Sequence, residues 1–211
     1  MSDLYLLIGG NQGDRLQLIQ QATDLIRQRI GSVAAFSHLY ETAPWGTFAP
    51  DERPQNFLNQ ALLVHTSLTP QQALAEALDI EKALGRLRPT SNEDNQIIRL
   101  SDYPISEYLN IALSENLSNA DEASVPHSPL PPTASQPRLY SSRPIDIDLI
   151  FYDGLILDTP ELTLPHPRMH LRRFVLQPLS DIAPNLIHPV YNKTIIQLLA
   201  TCPDTSSCSC L

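Results

Sequence analysis

The segment Arg143-Pro144-Ile145-Asp146-Ile147-Asp148 carries the strongest chemical signal in the chain. Two carboxylates at i and i+2 of a strand project from one face, roughly 6.5–7 Å apart by strand rise. They interrupt an apolar alternation in which Lys, Thr or Gln would be the commoner exposed choice. Two acids so placed repel unless a cation sits between them. Oxygen-only donors suit Mg2+ or Ca2+ rather than zinc. Arg143 adds a positive charge three residues before Asp146. Metal, acidic pair and arginine are together the components of phosphoryl transfer. The alternative for the same residues is a solvated strand face, since short motifs also match by chance.

Three further clusters carry charge or rigidity. Gly85-Arg86-Leu87-Arg88 follows a helical pattern. Its arginines read either as complements of the helix dipole or as a phosphate clamp, because a guanidinium fork matches phosphate oxygens. Pro165-His166-Pro167 holds a histidine between two prolines, with Arg168, Arg172 and Arg173 close behind. A lone histidine is more often structural, but one beside several arginines can contact a polyphosphate. Gly9-Gly10-Asn11-Gln12-Gly13-Asp14-Arg15 lacks the Gly-Lys-Ser/Thr ending of a phosphate-binding loop and reads as turn chemistry.

The elements that must position these groups are legible in part. Leu4 to Ile8 is a short apolar run stopped by Gly9-Gly10, a buried strand. Asp14 with Gln17 gives a capping spacing before a helix whose Leu18, Ala22, Leu25, Ile26 and Ile30 recur on one face until Gly31. Val33–Tyr40 and Phe57–Thr66 read as strands. Thr69, Pro70 and Gln72 open a second helix with Leu74, Ala77, Leu78 and Glu81 on one face, closed by Gly85. Ile145, Ile147, Leu149 and Phe151 alternate with Asp146, Asp148, Ile150 and Tyr152, the period of a strand. Asp153-Gly154 predicts a hairpin to Leu155–Leu157, and Leu162–Leu164 reads as another short strand. Helices are expected over Arg172–Ile182 and Thr194–Ala200. This order predicts an α+β sandwich, an antiparallel sheet with helices packed on it.

Residues 89–139 differ in kind. They hold 7 of the 19 prolines, no glycine, and seven acids against Arg99 and Arg138, so −5 of the chain's −9 lies there. Their second half is Ser/Pro-rich. Such composition buries too little apolar surface to offset the ordering entropy. It predicts a mostly disordered insertion, with room for one short helix between 105 and 117. The remaining residues 1–200 read as a single domain.

The chain has 211 residues, 42% of them hydrophobic, enough for one ordinary core. Its 23 acidic against 14 basic residues exclude a broad nucleic-acid footprint. No apolar run reaches the roughly 18–20 residues that span a bilayer, so no membrane partner is expected. Met1-Ser2-Asp3 lacks the basic start of a secretory signal. All three cysteines, Cys202, Cys208 and Cys210, fall in the last ten residues and cannot staple the core. The expectation is a reducing, cytoplasmic compartment and a flexible, Cys-containing tail over 201–211.

Taken in order, these segments resemble the 6-hydroxymethyl-7,8-dihydropterin pyrophosphokinases of folate biosynthesis. The resemblance rests on Ile8–Asp14, Glu41-Thr42-Ala43-Pro44-Trp45-Gly46, Phe57-Leu58-Asn59-Gln60-Ala61 and Gly85–Arg88. It continues through Arg143–Ile150, Leu164-Pro165-His166, Arg172-Arg173-Phe174 and Pro178-Leu179. It covers residues 3–88 and 140–200. It implies a ferredoxin-like α/β sandwich, usually monomeric. It also implies transfer of pyrophosphate from the co-substrate ATP to the pterin's hydroxymethyl oxygen, releasing AMP. By resemblance, two Mg2+ ions bridge Asp146, Asp148 and the ATP phosphates, and Arg86 and Arg143 complete the catalytic set. The same resemblance assigns Arg86, Arg88, Arg143, His166 and Arg172 to the nucleotide. It assigns the pterin to a sandwich of Phe57 and Phe174, with Asn59 and the backbone near Thr42, Pro44 and Trp45 at its edge.

The sequence departs from the family between the arginine-rich turn and the acidic strand, where many relatives have a short closing loop. Here that connection runs from Pro89 to Ser142. Tyr140 stands where Trp is common, Leu139 where a basic residue is common, and Ser141-Ser142 replace a Gly-Pro. A catalytically impaired pterin- or nucleotide-binding homologue that acts through its insertion is therefore the alternative function.

Overall fold

Strand β1 (Ser2–Gly10) is the apolar run of the sequence, and it lies inside the main sheet of a computed structural model. The structure describes residues 1–45, 47–48, 51, 53–86 and 139–211. Antiparallel partners flank β1 on both sides, β5 (Phe57–Thr66) and β7 (Asp146–Tyr152). Both faces of β1 are apolar because both are covered. Leu4, Leu6 and Ile8 join Ile19, Ala22 and Ile26 of helix α1 (Arg15–Arg29) and Ala73, Ala77 and Ile80 of helix α2 (Pro70–Ala83). Tyr5 and Leu7 join Val175, Leu176 and Leu179 of helix α3 (Arg173–Ile182) and Ile195 and Leu198 of helix α4 (Ile195–Ala200). Full burial of each Leu, Ile or Val side chain among them stabilises by about 1.5–3 kcal/mol. This is the antiparallel sheet with packed helices that the sequence pattern predicts.

The helices begin where their caps are. Asp14 accepts from Gln17 N at 3.0 Å to open α1. Thr69 and Gln72 close a reciprocal capping box at α2, with Pro70 in the first turn. Thr194 and Gln197 do the same for α4. Among the described residues no helix is long and apolar enough to cross a membrane.

Three expectations need correction. The single strand predicted over Val33–Tyr40 is two strands, β2 (Gly31–Phe36) and β3 (Tyr40–Thr42), paired with successive halves of β5. The break is at Ser37. Its hydroxyl accepts from Ala61 N at 2.9 Å while its own N–H donates to Ala61 O, so a side chain enters the ladder where a carbonyl would continue it. The hairpin predicted across Asp153-Gly154 does not form. Asp153 instead turns back on β1, accepting from Asp3 N at 2.7 Å and donating to Asp3 O. The next strand, β8 (Leu157–Asp158), pairs with β9 (Thr163–Leu164). Third, residues 208–210, expected in a frayed tail, form strand β10 (Cys208–Cys210) against β3.

The sheet therefore runs β10-β3-β5-β1-β7, with β2 also on β5. A separate parallel pair joins β4 (Thr47–Phe48) to β6 (Leu139–Tyr140), bringing the loop after β3 against the segment that precedes β7. The expected insertion at 89–139 lies outside the described residues except for Leu139 in β6, and so does the short helix expected within 105–117.

Candidate active site

Asp146 and Asp148 share a face at the start of β7, which is the edge strand of the sheet. An edge strand leaves backbone donors unpaired unless something covers them. The Ile147 N–H is taken by the buried Glu81 carboxylate of α2, with Oε1 accepting at 2.8 Å. The same oxygen accepts from Arg86 Nη1 at 2.6 Å. Arg86 reaches back over Glu81 because Gly85 ends α2 with φ of +91°, a left-handed turn that glycine takes at little cost. The Arg86 N–H then donates to Glu81 O at 2.9 Å. Arg86 Nη1 also donates to Asp146 Oδ1, and Arg143 Nη1 donates to Asp146 Oδ2 at 2.7 Å. A chain of alternating charge thus runs Glu81–Arg86–Asp146–Arg143. Arg86 is not a complement of the α2 dipole. It is a bridge between two carboxylates.

The cation that two adjacent acids require is supplied in unequal shares. Burial alone would raise the Asp146 carboxyl, but Arg143 and Arg86 more than offset it and hold it at about 2. Asp148 goes the other way. Burial and then the negative charge of Asp146 push it up to about 6, against the pull of Arg172, Arg143 and Arg86. One acid of the pair is therefore neutralised by the protein, and the other favours a further cation.

A second support for this end comes from the loop that reads as turn chemistry. Asn11 is buried. Its Nδ2 donates to Gln55 O at 3.2 Å and to Ser142 Oγ at 3.0 Å, and its Oδ1 accepts from Arg143 N at 2.8 Å. It fixes the backbone of Arg143 against the segment that leads into β5. Gly10 permits this approach, since a Cβ there would sit 2.0 Å from Pro144 O.

His166 is seated by its backbone, its N–H donating to Ile150 O at 2.9 Å. Burial, then the charges of Arg172 and Arg168, push its ring down to about 3. It is neutral at ordinary pH. Its Nδ1 accepts from Arg168 N at 3.3 Å, which assigns the ring proton to Nε2 as a donor. The Nε atoms of Arg143 and Arg168 are buried and meet no acceptor among the described residues. Buried donors of that kind fit an anion with several oxygens.

The aromatic end lies between β3, the start of β5 and the start of α3. Thr42 and Asn59 are both buried, and Asn59 Nδ2 donates to Thr42 Oγ1 at 2.8 Å. Pro44 and Trp45 follow in the loop after β3. The Trp45 and Phe174 ring centroids are 6.4 Å apart. The buried Arg172 guanidinium lies 4.6 Å from the Trp45 centroid and 5.5 Å from that of Phe174. The Arg143 guanidinium lies 6.0 Å from the Phe57 centroid. The two rings expected to sandwich a pterin each carry a guanidinium.

Of the residues singled out from sequence, Arg88 lies outside the described residues. Arg86, Arg143, Asp146, Asp148, His166 and Arg172 form the charged end, and Thr42, Pro44, Trp45, Phe57, Asn59 and Phe174 the aromatic end. Arg168, one of the arginines read from sequence behind His166, joins the charged end. Glu81 and Asn11 are additions, and of these Glu81 had a signal, a carboxylate on an otherwise apolar helix face.

A family model described as 7,8-dihydro-6-hydroxymethylpterin-pyrophosphokinase (HPPK) matches residues 5–129 and 106–184. A 2-amino-4-hydroxy-6-hydroxymethyldihydropteridine pyrophosphokinase of Porphyromonas gingivalis is 32% identical over 190 residues, 90% of this chain and 95% of that protein. The Aquifex aeolicus protein of the same name is 28% identical over 92% of this chain and 89% of its own. Among solved structures, a Plasmodium falciparum HPPK-DHPS chain matches 95% of this chain with a TM-score of 0.57 at 15% identity, a likeness of fold. This chain spans 43% of that longer one.

Proposed function

The chain belongs to the 7,8-dihydro-6-hydroxymethylpterin-pyrophosphokinase family, and from that premise we infer how its own residues carry the reaction. It is an enzyme of folate biosynthesis that transfers pyrophosphate from ATP to the hydroxymethyl group of 6-hydroxymethyl-7,8-dihydropterin. The hydroxymethyl oxygen bonds to the β-phosphorus, the bond from that phosphorus to the α-phosphate oxygen breaks, and AMP leaves. The binding-module alternative is not favoured, since a binder needs no paired acids.

The donor set fits Mg2+. Among the described residues no group of three His, Cys, Asp or Glu side chains is placed to hold a metal. Two carboxylates alone suit an ion that keeps its remaining positions for water and phosphate. Asp146 and Asp148 would hold it, with two ions expected when ATP is bound. Bound there, Mg2+ would offset charge on the phosphate oxygens as a Lewis acid.

The protein's own contribution is positioning and charge. Glu81 keeps Arg86 in place when Asp146 turns to a cation, so the guanidinium stays beside the phosphates. Asn11 fixes the backbone of Arg143 beside the acids. His166 offers an uncharged donor at Nε2, and Arg172 and Arg168 add positive charge behind it. Phe57 and Phe174 offer faces to the flat pterin, and Asn59, steadied by Thr42, meets its polar edge. The observation that carries this reading is the Glu81–Arg86–Asp146–Arg143 chain beside Asp148.

The test is AMP release from Mg-ATP with and without the pterin. Pterin-dependent AMP without ADP is expected, and EDTA should abolish it. ADP as product, or AMP insensitive to EDTA, would overturn the mechanism. We also propose a monomer, a cytoplasmic location and an insertion over 89–139 that is dispensable for folding. Light scattering tests the first, and a folded protein lacking residues 92–137 the last.

A further inference from the structure

Residues 204–211 tie two elements of the fold together. After α4 they cross the start of α3 and then join β3. Helix α3 has Arg172 at its N-cap, and that side chain makes no capping hydrogen bond. The first N–H of the helix, that of Arg173, donates instead to Asp204 Oδ2 at 3.0 Å. Asp204 Oδ1 accepts from Ser206 N at 2.9 Å, which steadies the carboxylate. Burial would raise this carboxyl, but the hydrogen bonds from Ser206 and Arg173 hold it below the usual range, so it is ionised against the positive end of the helix. Four residues after Asp204, Cys208, Ser209 and Cys210 pair with Thr42, Glu41 and Tyr40, and Leu211 N donates to Leu39 O at 3.0 Å.

These are two of the three elements that carry the aromatic end, the third being β5 with Phe57 and Asn59. Arg172 and Phe174 flank the capped Arg173, and Thr42 ends the paired strand, three residues before Trp45. We propose that residues 204–210 form a strap that sets the pterin-binding geometry, with Asp204 as a positioning residue acting through the first turn of α3 on Phe174. This rests on the pterin reading of the aromatic end. Covering a bare sheet edge would explain β10 alone, but not a carboxylate on the helix that bears Phe174.

The test uses the full chain and steady-state kinetics in both substrates. Asp204→Ala should raise the pterin KM about fivefold, the size expected for losing a helix cap, with kcat and the ATP KM little changed. Asp204→Asn, which keeps an acceptor, should restore most of the loss. Trp45, the chain's single tryptophan, packs on Phe174, so its emission should shift in Asp204→Ala while the far-UV circular dichroism does not. Ending the chain after Ser206 keeps the cap, removes β10, and should raise the same KM by a smaller factor. An unchanged pterin KM in folded Asp204→Ala, or equal rises in both KM values, would overturn the strap. If that variant does not fold, Ser206→Pro decides, because it removes the N–H that steadies Asp204. It should raise the pterin KM modestly, and no rise would overturn the proposal. A wild type without pterin-dependent AMP would defeat the underlying reading instead, and the Trp45 emission would then decide the strap.

Discussion

At the charged end of the site, the groups proposed to meet ATP are already engaged with one another. Arg86 and Arg143 both hold Asp146, and Glu81 holds Arg86 from behind. At the aromatic end, the rings are placed but their faces are covered by the Arg172 and Arg143 guanidiniums. At the charged end Arg86, Arg143 and Asp146 have standing partners that they would exchange on binding ATP, while Asp148 favours a further cation. The aromatic end holds weak contacts that a flat ligand has only to displace. Positions at the first should therefore govern turnover and stability together, and positions at the second should govern affinity with little effect on stability.

The largest effects belong to the acid pair. Asp146→Asn and Asp148→Asn should each lower turnover by at least about 10²-fold, the scale of removing a charge-stabilising group. Their effects on stability should have opposite signs. Asp146 is held low by its arginines, so its ionised form stabilises the fold above about pH 4, and that contribution is lost as pH falls through about 2. Asparagine there should cost about 1–3 kcal/mol, by removing the anion that pairs with Arg143 and leaving Arg86 with Glu81 alone. Asp148 is pushed up to about 6, so its contribution is present below about pH 4 and lost as pH rises through about 6. Asparagine there should leave the metal-free protein as stable or more so at neutral pH. Urea midpoints without Mg2+ check this, and equal shifts of one sign would refute the unequal sharing of cations.

Glu81→Ala comes next. It removes the second hold on Arg86 and uncovers the Ile147 N–H in one step. A loss of about 2–4 kcal/mol of stability is expected, with a fall in kcat larger than any rise in pterin KM. A pure change in pterin KM would break the division between the two ends.

A smaller and directional test is pH. Burial and the charges of Arg172 and Arg168 push the His166 ring down to about 3. A depressed histidine contributes stability that is full above about 6.5 and is lost as pH falls through the folded value. His166 should stay neutral throughout the physiological range, with imidazole NMR shifts flat down to about pH 5. Pterin affinity should also be flat there, since the Arg172 guanidinium at the rings does not titrate. A histidine titration near 6.5 assigned to His166 would contradict its seating.

What the sequence disclosed follows the range of the interactions. β1, α1 and α2 were legible because alternation and capping act within a few residues. The Asp146/Asp148 pair was legible for the same reason. Asn11 was not, because its partners Gln55, Ser142 and Arg143 lie 44 to 132 residues away. The hairpin at Asp153-Gly154 was misread because a strong local turn signal was overruled by Asp3, 150 residues away. β10 was misread because Ser206-Ser207-Cys208-Ser209-Cys210 has no apolar period, and it becomes a strand only against the open edge of β3. Glu81 was the intermediate case. Its place on an apolar helix face showed that it would be buried, but not which arginine would bury with it.

The smallest effect is the most direct test of the aromatic end. Arg172 lies on the Trp45 and Phe174 rings by cation–π contact, and in the proposed function it also offers its charge to the nucleotide. Such contacts are worth about 0.5–1 kcal/mol at accessible sites and more when desolvated. Arg172→Met keeps the bulk on the rings and removes the charge. Without nucleotide, pterin has one less competitor for the ring faces and should bind about threefold more tightly. With ATP the gain should reverse, since the phosphates lose a cation. Trp45 quenching by pterin, titrated with and without a non-hydrolysable ATP analogue, reads both arms. Weaker pterin binding in both would mean that Arg172 shapes the pterin site rather than covering it.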